Sequence, residues 1–274
     1  MKWDTENMTL AEIVKNKKSI IKTKKQTPIY SECQINKAAT LQTKGIGTKA
    51  AGESDDPNRL KVTIVGNTAL WCDSHMDVLA VGSYSKSVNE QGANIPHLRD
   101  HIHTLEGKIG KTQKVYTEMI GVEDLGITSD VKQTEVLLMD SEVVKEWAPK
   151  IFQLYKDEEV KQHSIGLQYV RVILCANNPE YKDEFANWEE HYSKVINKEK
   201  IDERGYFWFV TEIKIFEISA VLFGSNEMTP TVSTEKNEDL TAPSGKKDTQ
   251  EEEESPAPSS DTQALRRRKQ LLTN

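Results

Sequence analysis

The chain has 274 residues, 36% of them hydrophobic and 29% charged, with a formal net charge of −7; that length suits one ordinary domain with tails, or two small ones. The charge is unevenly spread, at net +4 over residues 1–60, −9 over residues 61–232 and −2 over residues 233–274. A centre at −9 lacks the clustered lysines and arginines that grip a phosphate backbone, so no nucleic-acid partner is expected for it.

In chain order, residues 1–25 combine a short amphipathic pattern (Leu10, Ile13, Val14, Ile20, Ile21) with the lysine-rich KNKKSIIKTKK. This predicts a marginal helix that orders against a partner. There is no secretory apolar region, and no run approaches 18 apolar residues, so no membrane partner is expected and the protein should stay inside the cell that makes it. Up to residue 58 the chain is small and polar, ending in GIGTKAAGESDDPN, which reads as a loop or linker. Residues 1–58 are therefore expected to form a basic, partly disordered arm.

Order is expected from LKVTIVGN, residues 60–67, whose alternation predicts a strand. Further strands are predicted at 97–103, 114–120, 134–139, 163–175 and 206–223. One helix is predicted from Ser141, as N-cap, to Tyr155, with Val144, Trp147, Ile151 and Tyr155 on one face and Pro149 bending it or delaying its start. A second follows Asn178-Pro179 and aligns Tyr181, Phe185, Trp188, Tyr192 and Val195 as a packing stripe. Residues 233–274, with four consecutive glutamates followed by RRRK, have too little apolar content to offset their ordering entropy and are expected to be disordered.

Strands outnumber helices and do not alternate with them, so a doubly wound parallel sheet is not expected. The predicted fold is α+β, a small mostly antiparallel β-barrel or curled sheet wrapped by helices, over residues 59–232, with disordered arms on both sides.

Three places hold chemistry-bearing residues. Ser164 and Gly166 interrupt the strand VKQHSIGLQYVRVILC, where a glycine weakens the strand and often marks a close approach. HLRDHIH, residues 97–103, sets His97, His101 and His103 along one strand face. In FEISAVLFGSN, residues 216–226, Glu217 sits in an otherwise apolar strand and by alternation shares a face with Ile213, Ile215 and Val221. A carboxylate there must be exposed, paired or functional. A serine, a histidine and a carboxylate on three strands suit nucleophilic acyl transfer, since a hydroxyl is a weak nucleophile until an oriented imidazole takes its proton.

Metal chemistry is not expected. Cys33, Cys72 and Cys175 are odd in number and widely spaced, which suits neither a disulfide framework nor a Cys-rich zinc site and fits a reducing compartment. On a strand, His97 and His101 would lie about 13 Å apart, too far to share an ion. No cofactor is expected either.

The motifs together resemble the caudovirus prohead serine proteases, the maturation proteases of tailed phages. HSIG, then EISAV about fifty residues later and then GSN, match that family's S-[IV]-G strand and its E-x-S-x-V strand. NTALWCDSHMDVLAVGSYSKSV, residues 67–88, resembles its opening hairpin, and HLRDH followed by IGK resembles its histidine block. The likeness spans about residues 60–230 and implies an assemblin-like fold, similar to the herpesvirus protease. It implies an endopeptidase that cuts scaffold segments and major capsid protein extensions, and itself, inside the immature capsid in the host cytoplasm.

Carried onto this chain, the resemblance makes Ser164 the nucleophile, His101 the general base and Glu217 the orienting acid. His103 is the alternative base, because many members have a shorter gap before their IG pair. Gly166 then leaves room for the peptide carbonyl, backbone N–H groups supply the oxyanion donors, and His75 and His163 have supporting roles. A homo-oligomer is compatible with the resemblance, and the arms are expected to dock partners and to be trimmed. The alternatives are a non-catalytic capsid scaffold or assembly protein with a protease-like fold and, third, a metal hydrolase using His97, His101 and His103.

Overall fold

The computed structural model describes residues 5, 7–26, 28–29 and 56–234, all within one unit, Met1–Asn237. Most of the expected linker, and the expected disordered tail beyond its first two residues, lie outside the described residues. In chain order the elements are α1 (Leu10–Gln26), β1 (Arg59–Thr68), β2 (Asp77–Leu79), α2 (Ser85–Gln91), β3 (His97–Arg99), β4 (Lys108–Gly121) and β5 (Gln133–Val144). There follow α3 (Pro149–Lys156), β6 (Gln162–Ala176), α4 (Lys182–His191), α5 (Glu199–Arg204), β7 (Tyr206–Val221) and β8 (Thr231–Thr234).

The α1 helix starts at a capping box: the Thr9 N–H donates to Glu12 Oε2 at 2.8 Å, and the Glu12 N–H reaches back to Thr9 Oγ1 at 3.4 Å. Ile13 and Ile20, seven residues apart and so on one face, are both buried in the main core. Lys17 pairs with the largely buried Glu184, and Lys24 Nζ reaches Asp77 Oδ1 at 2.6 Å while the Tyr169 hydroxyl donates to the other oxygen. The helix is thus ordered by its own protein. Removing Lys24 would leave a buried, unpaired carboxylate, which is far costlier than the pair itself is stabilising.

The helix expected from Ser141 is corrected. Strand β5 runs on to Val144, pairing Ser141 with Val62 of β1 and Thr112 of β4, because Leu137, Met139, Ser141 and Val143 keep the two-residue period of a strand. The helix begins only at Pro149, as its first residue, where the missing N–H costs nothing. Of the aromatic stripe after Asn178-Pro179, α4 carries Phe185 and Trp188, while Tyr181 precedes it and Tyr192 and Val195 follow it; Trp188 stacks on Tyr192 at 4.5 Å between centroids and meets Phe207 at 5.6 Å. Residues 67–88 form the expected hairpin in part: Cys72 and Val78 make an isolated antiparallel bridge, flanked by the Leu70 N–H donating to the Leu79 carbonyl at 2.8 Å and the Asp73 N–H to the Asp77 carbonyl at 3.0 Å. After β1 the chain turns through Leu70 and Met76, both with positive φ, and β2 pairs parallel with Trp208–Val210 of β7.

The eight strands form one mixed sheet, in the order β2-β7-β3-β4-β5-β1-β8, with β6 also on β7. Most ladders are antiparallel, but β7 pairs parallel with both β2 and β3. The expected barrel is therefore corrected to a mixed sheet that does not close, since among the described residues no ladder joins β6 to β1. The segment Thr229–Pro230 spans that gap, with the His163 N–H donating to the Thr229 carbonyl at 3.1 Å and the Val65 N–H to the Pro230 carbonyl at 3.0 Å. Proline has no N–H to extend a ladder on both sides.

A β-bulge divides β7. Gly166 pairs with Glu217, yet the next residue, Leu167, pairs with Ile215, so Phe216 is the extra residue. Ile165 and Leu167 lie on one face of β6, so their partners Ile218 and Ile215 face the same way, into the core. Glu217 and Ser219 therefore face outward. The expectation that Glu217 shares a face with Ile213 and Ile215 is corrected, because one extra residue inverts everything beyond it.

Beneath β3, β5 and β6 lies a chain of buried polar groups. His163 Nδ1 donates to the Thr229 carbonyl at 3.0 Å, and the Tyr155 hydroxyl lies 2.9 Å from His163 Nε2 and 3.2 Å from His97 Nε2. His97 Nδ1 lies 3.0 Å from Ser141 Oγ, which lies 3.2 Å from the Lys111 carbonyl. Those five contacts share only four hydrogen-bonding protons while both imidazoles are neutral. Burial keeps them neutral, lowering His97 to about 3 and His163 to about 4.

Candidate active site

Strand β3 ends at Arg99, two residues into the run expected to continue to 103. The chain then makes a tight turn: Asp100 and His101 have φ of 48° and 53°, and the Ile102 N–H donates to the Arg99 carbonyl at 2.9 Å. Positive φ at both central residues is the geometry that normally selects Asn-Gly. An ordinary residue held there costs on the order of 1–2 kcal/mol, so the surroundings must enforce it. They do so from β7: the Asp100 N–H donates to the Ala220 carbonyl at 2.9 Å, and the His101 N–H to Ser219 Oγ at 3.2 Å. On the far side Gly107 is indispensable, since a Cβ there would lie 1.9 Å from the Ile102 carbonyl oxygen.

The turn carries His101 onto the outward face of β7. His101 Nδ1 lies 2.5 Å from Glu217 Oε1, and Ser219 Oγ donates to Glu217 Oε2 at 2.6 Å. Both carboxylate oxygens are thus engaged, and Glu217 is 1% exposed. A carboxylate only accepts, so Nδ1 carries the proton and the neutral ring has its lone pair on Nε2, the arrangement of a general base. His103 stands further off, its Nε2 3.9 Å from Glu217 Oε1 and its side chain a third exposed.

Ser164 pairs with Ser219 across the antiparallel β6–β7 ladder, which puts both side chains on the same outward face, with about 5 Å between their Cα atoms. Ser219 joins the parts, because it touches the His101 backbone and the Glu217 carboxylate and stands opposite Ser164. Reasoning from sequence gave Ser219 no role, although the E-x-S spacing in a strand places the two side chains on one face.

Gly166 makes room for a side chain from β7. A Cβ there would lie 2.3 Å from Glu217 Oε1, so the glycine accommodates the Glu217 carboxylate. Gly166→Ala should displace that carboxylate, destabilise the fold by about 1–3 kcal/mol and abolish the downfield imidazole N–H resonance of the His101–Glu217 bond. A melting temperature within 1 °C of wild type, with that resonance kept, would contradict the close approach.

His97 is not on this face. Its ring is fully buried in the Tyr155 chain, on the core side of β3, because alternation from Leu98 and the turn at Asp100–His101 separate it from the other two histidines. His163 joins the same buried chain, and His75 sits beside Asp73, its Nδ1 3.9 Å from Asp73 Oδ2. The GSN segment is architectural: Asn226 Nδ2 donates to the Thr68 carbonyl at 2.9 Å and its Oδ1 accepts from the Met228 N–H at 2.9 Å.

Beside the site lies a hollow of about 530 Å³ lined by Pro96, Leu98, His103, Thr104, Leu105, Lys108, Phe216 and Glu217. Its walls are largely apolar, and the bulge that turns Glu217 outward also sets Phe216 in its lining. Comparison of the chain with family models, curated proteins and solved structures returned no significant match.

Proposed function

We propose that this chain is a serine endopeptidase of the prohead-protease kind, with an assemblin-like arrangement of its strands. The observation that supports it most is the 2.5 Å bond between His101 and the buried Glu217, on the face that also carries Ser164. In this reading Glu217 holds the His101 tautomer and orientation. His101 Nε2 takes the Ser164 proton as the hydroxyl attacks a peptide carbonyl, and returns it to the leaving amine. The substrates are scaffold segments and major capsid protein extensions, cut inside the immature capsid in the host cytoplasm, and the basic and acidic arms recruit them by weak multivalent contacts.

Co-expression with the major capsid protein of the source phage tests this directly. Trimmed products should form with the wild type and vanish with Ser164→Ala, and the intact mass of the Ser164→Ala chain should exceed that of a self-processed wild type. Equal masses and untrimmed capsid protein in both would reject the proposal.

A second reading, a non-catalytic capsid scaffold or assembly protein, is favoured by one observation: Ser164 is only 4% exposed. A fluorophosphonate that labels Ser164 in the wild type but not in His101→Ala separates the two, since a scaffold would take no label in either.

A further inference from the structure

Strand β6 pairs with β7 along one edge. Among the described residues, its other edge is met twice by non-strand backbone. Toward its start the His163 N–H donates to the Thr229 carbonyl at 3.1 Å. Four residues on, the chain's own N-terminal segment is seated there: the Ile29 N–H donates to the Leu167 carbonyl at 2.8 Å, and the Leu167 N–H returns a bond to the Ile29 carbonyl at 3.1 Å. The two residues form an isolated antiparallel bridge, the reciprocal pair of bonds that an added strand makes. Gln168 Nε2 also reaches the Lys25 carbonyl at 2.6 Å, and the Ile29 side chain packs against the main core.

The position of this bridge matters. Leu167 is three residues beyond Ser164 on the same strand, and alternation turns the backbone groups of His163, Ile165 and Leu167 to the same edge. An extended peptide that paired along this edge would run beside Ser164. Peptide bonds are presented to a strand-borne nucleophile in this way, because backbone pairing gives affinity without demanding a particular sequence.

We propose that the β6 edge from Ile165 to Leu167 is a strand-addition site for an extended peptide with an apolar residue opposite Leu167, and that Pro28–Ile29 is its resting occupant in cis. Among the described residues the occupant is held by one reciprocal bridge and the packing of the Ile29 side chain, whereas α1 behind it is fixed independently by Ile13, Ile20 and the Lys24–Asp77 pair. The bridge can therefore be released while the helix stays docked. An incoming peptide must displace Pro28–Ile29, and this intramolecular competition weakens binding from outside. The inference rests on the proposed endopeptidase for its meaning, but binding alone tests it.

The test uses the full chain carrying Ser164→Ala, so that no cleavage intrudes, and a fluorescein-labelled peptide with the sequence of residues 26–31, QTPIYS. Ile29→Pro removes the donor of the shorter bond and should tighten peptide binding at least tenfold over the Ile29 chain, measured by anisotropy. The amide of Leu167 should exchange faster in this variant and regain protection when peptide is added. A peptide N-methylated at its isoleucine should bind at least tenfold more weakly, because it lacks the same donor. Ile29→Ala, which loosens the occupant without altering the backbone, decides by the same criterion should Ile29→Pro fail to fold. Equal affinity with and without the substitution, or equal binding of the N-methylated peptide, overturns the proposal. Tight binding by a wild-type chain that cuts nothing would keep this edge and remove the endopeptidase, whereas cutting that Ile29→Pro leaves unchanged would do the reverse.

Discussion

Glu217→Gln should reduce peptide cleavage about 10⁴-fold, as loss of the acid does in other triads, and leave the protein folded. The arrangement around position 217 makes the effect large. Ser219 Oγ donates to one side of the carboxylate at 2.6 Å while the His101 ring occupies the other at 2.5 Å. In a glutamine, the Ser219 hydroxyl would select the amide oxygen as its acceptor and turn the NH₂ toward His101. Nδ1 would then have to accept, the ring proton would move to Nε2, and His101 would lose the lone pair that the proposed mechanism uses to deprotonate Ser164. The size of the side chain is kept, so the melting temperature should change by only a few degrees. A rate within threefold of wild type on a capsid-derived peptide, with the fold intact, would remove Glu217 from the chemistry.

Acidification should destabilise the fold through a different set of residues. His97 and His163 are depressed by burial to about 3 and about 4, whereas an unfolded histidine titrates near 6.5. Between those values the unfolded chain binds protons that the folded chain refuses, so stability rises with pH and is lost as pH falls below about 6.5. The two imidazoles together should cost on the order of 3 kcal/mol between pH 7 and pH 5. Asp77 acts in the opposite sense, since burial raises its carboxyl above the usual range and its contribution fades as pH rises. Denaturant midpoints at the two pH values measure the sum, and His163→Gln should remove about half of the histidine slope. An unchanged pH slope in His163→Gln would mean that this ring titrates as it does in the unfolded chain.

Much of this architecture is legible from residue order, and the remainder has identifiable causes. The long strands are marked by runs such as LKVTIV and YFWFVTEIKIF, and the helix after Asn178-Pro179 by its aromatic stripe. His101 and Glu217 can be named together from their motifs. Their meeting cannot, because it depends on a bulge at Phe216 and on a turn whose two central residues, Asp100 and His101, lack the glycine or asparagine that usually announces it. The helix wrongly begun at Ser141 shows the limit of periodicity: Val144, Trp147, Ile151 and Tyr155 fit a helix on paper, but the ladder to β1, where Val144 pairs with Arg59, claims the first of them for a strand. Closure of the sheet is equally hidden, since it turns on which backbone donors Pro230 withholds.

The extra residue at Phe216 has a consequence for how this protein can vary. Upstream of it, Ile213 and Ile215 answer to the interior, whereas downstream the same spacing delivers Glu217 and Ser219 to the outside. Substitution can retune either half alone, and loss of the Phe216 codon would leave Ile215 and Glu217 adjacent, opposite Leu167 and Gly166, in a regular ladder that keeps Ile218 inward and the acid where it is. Lineages descended from such a chain should therefore be able to shorten by this one residue and keep the acid in place, losing instead the aromatic wall of the hollow.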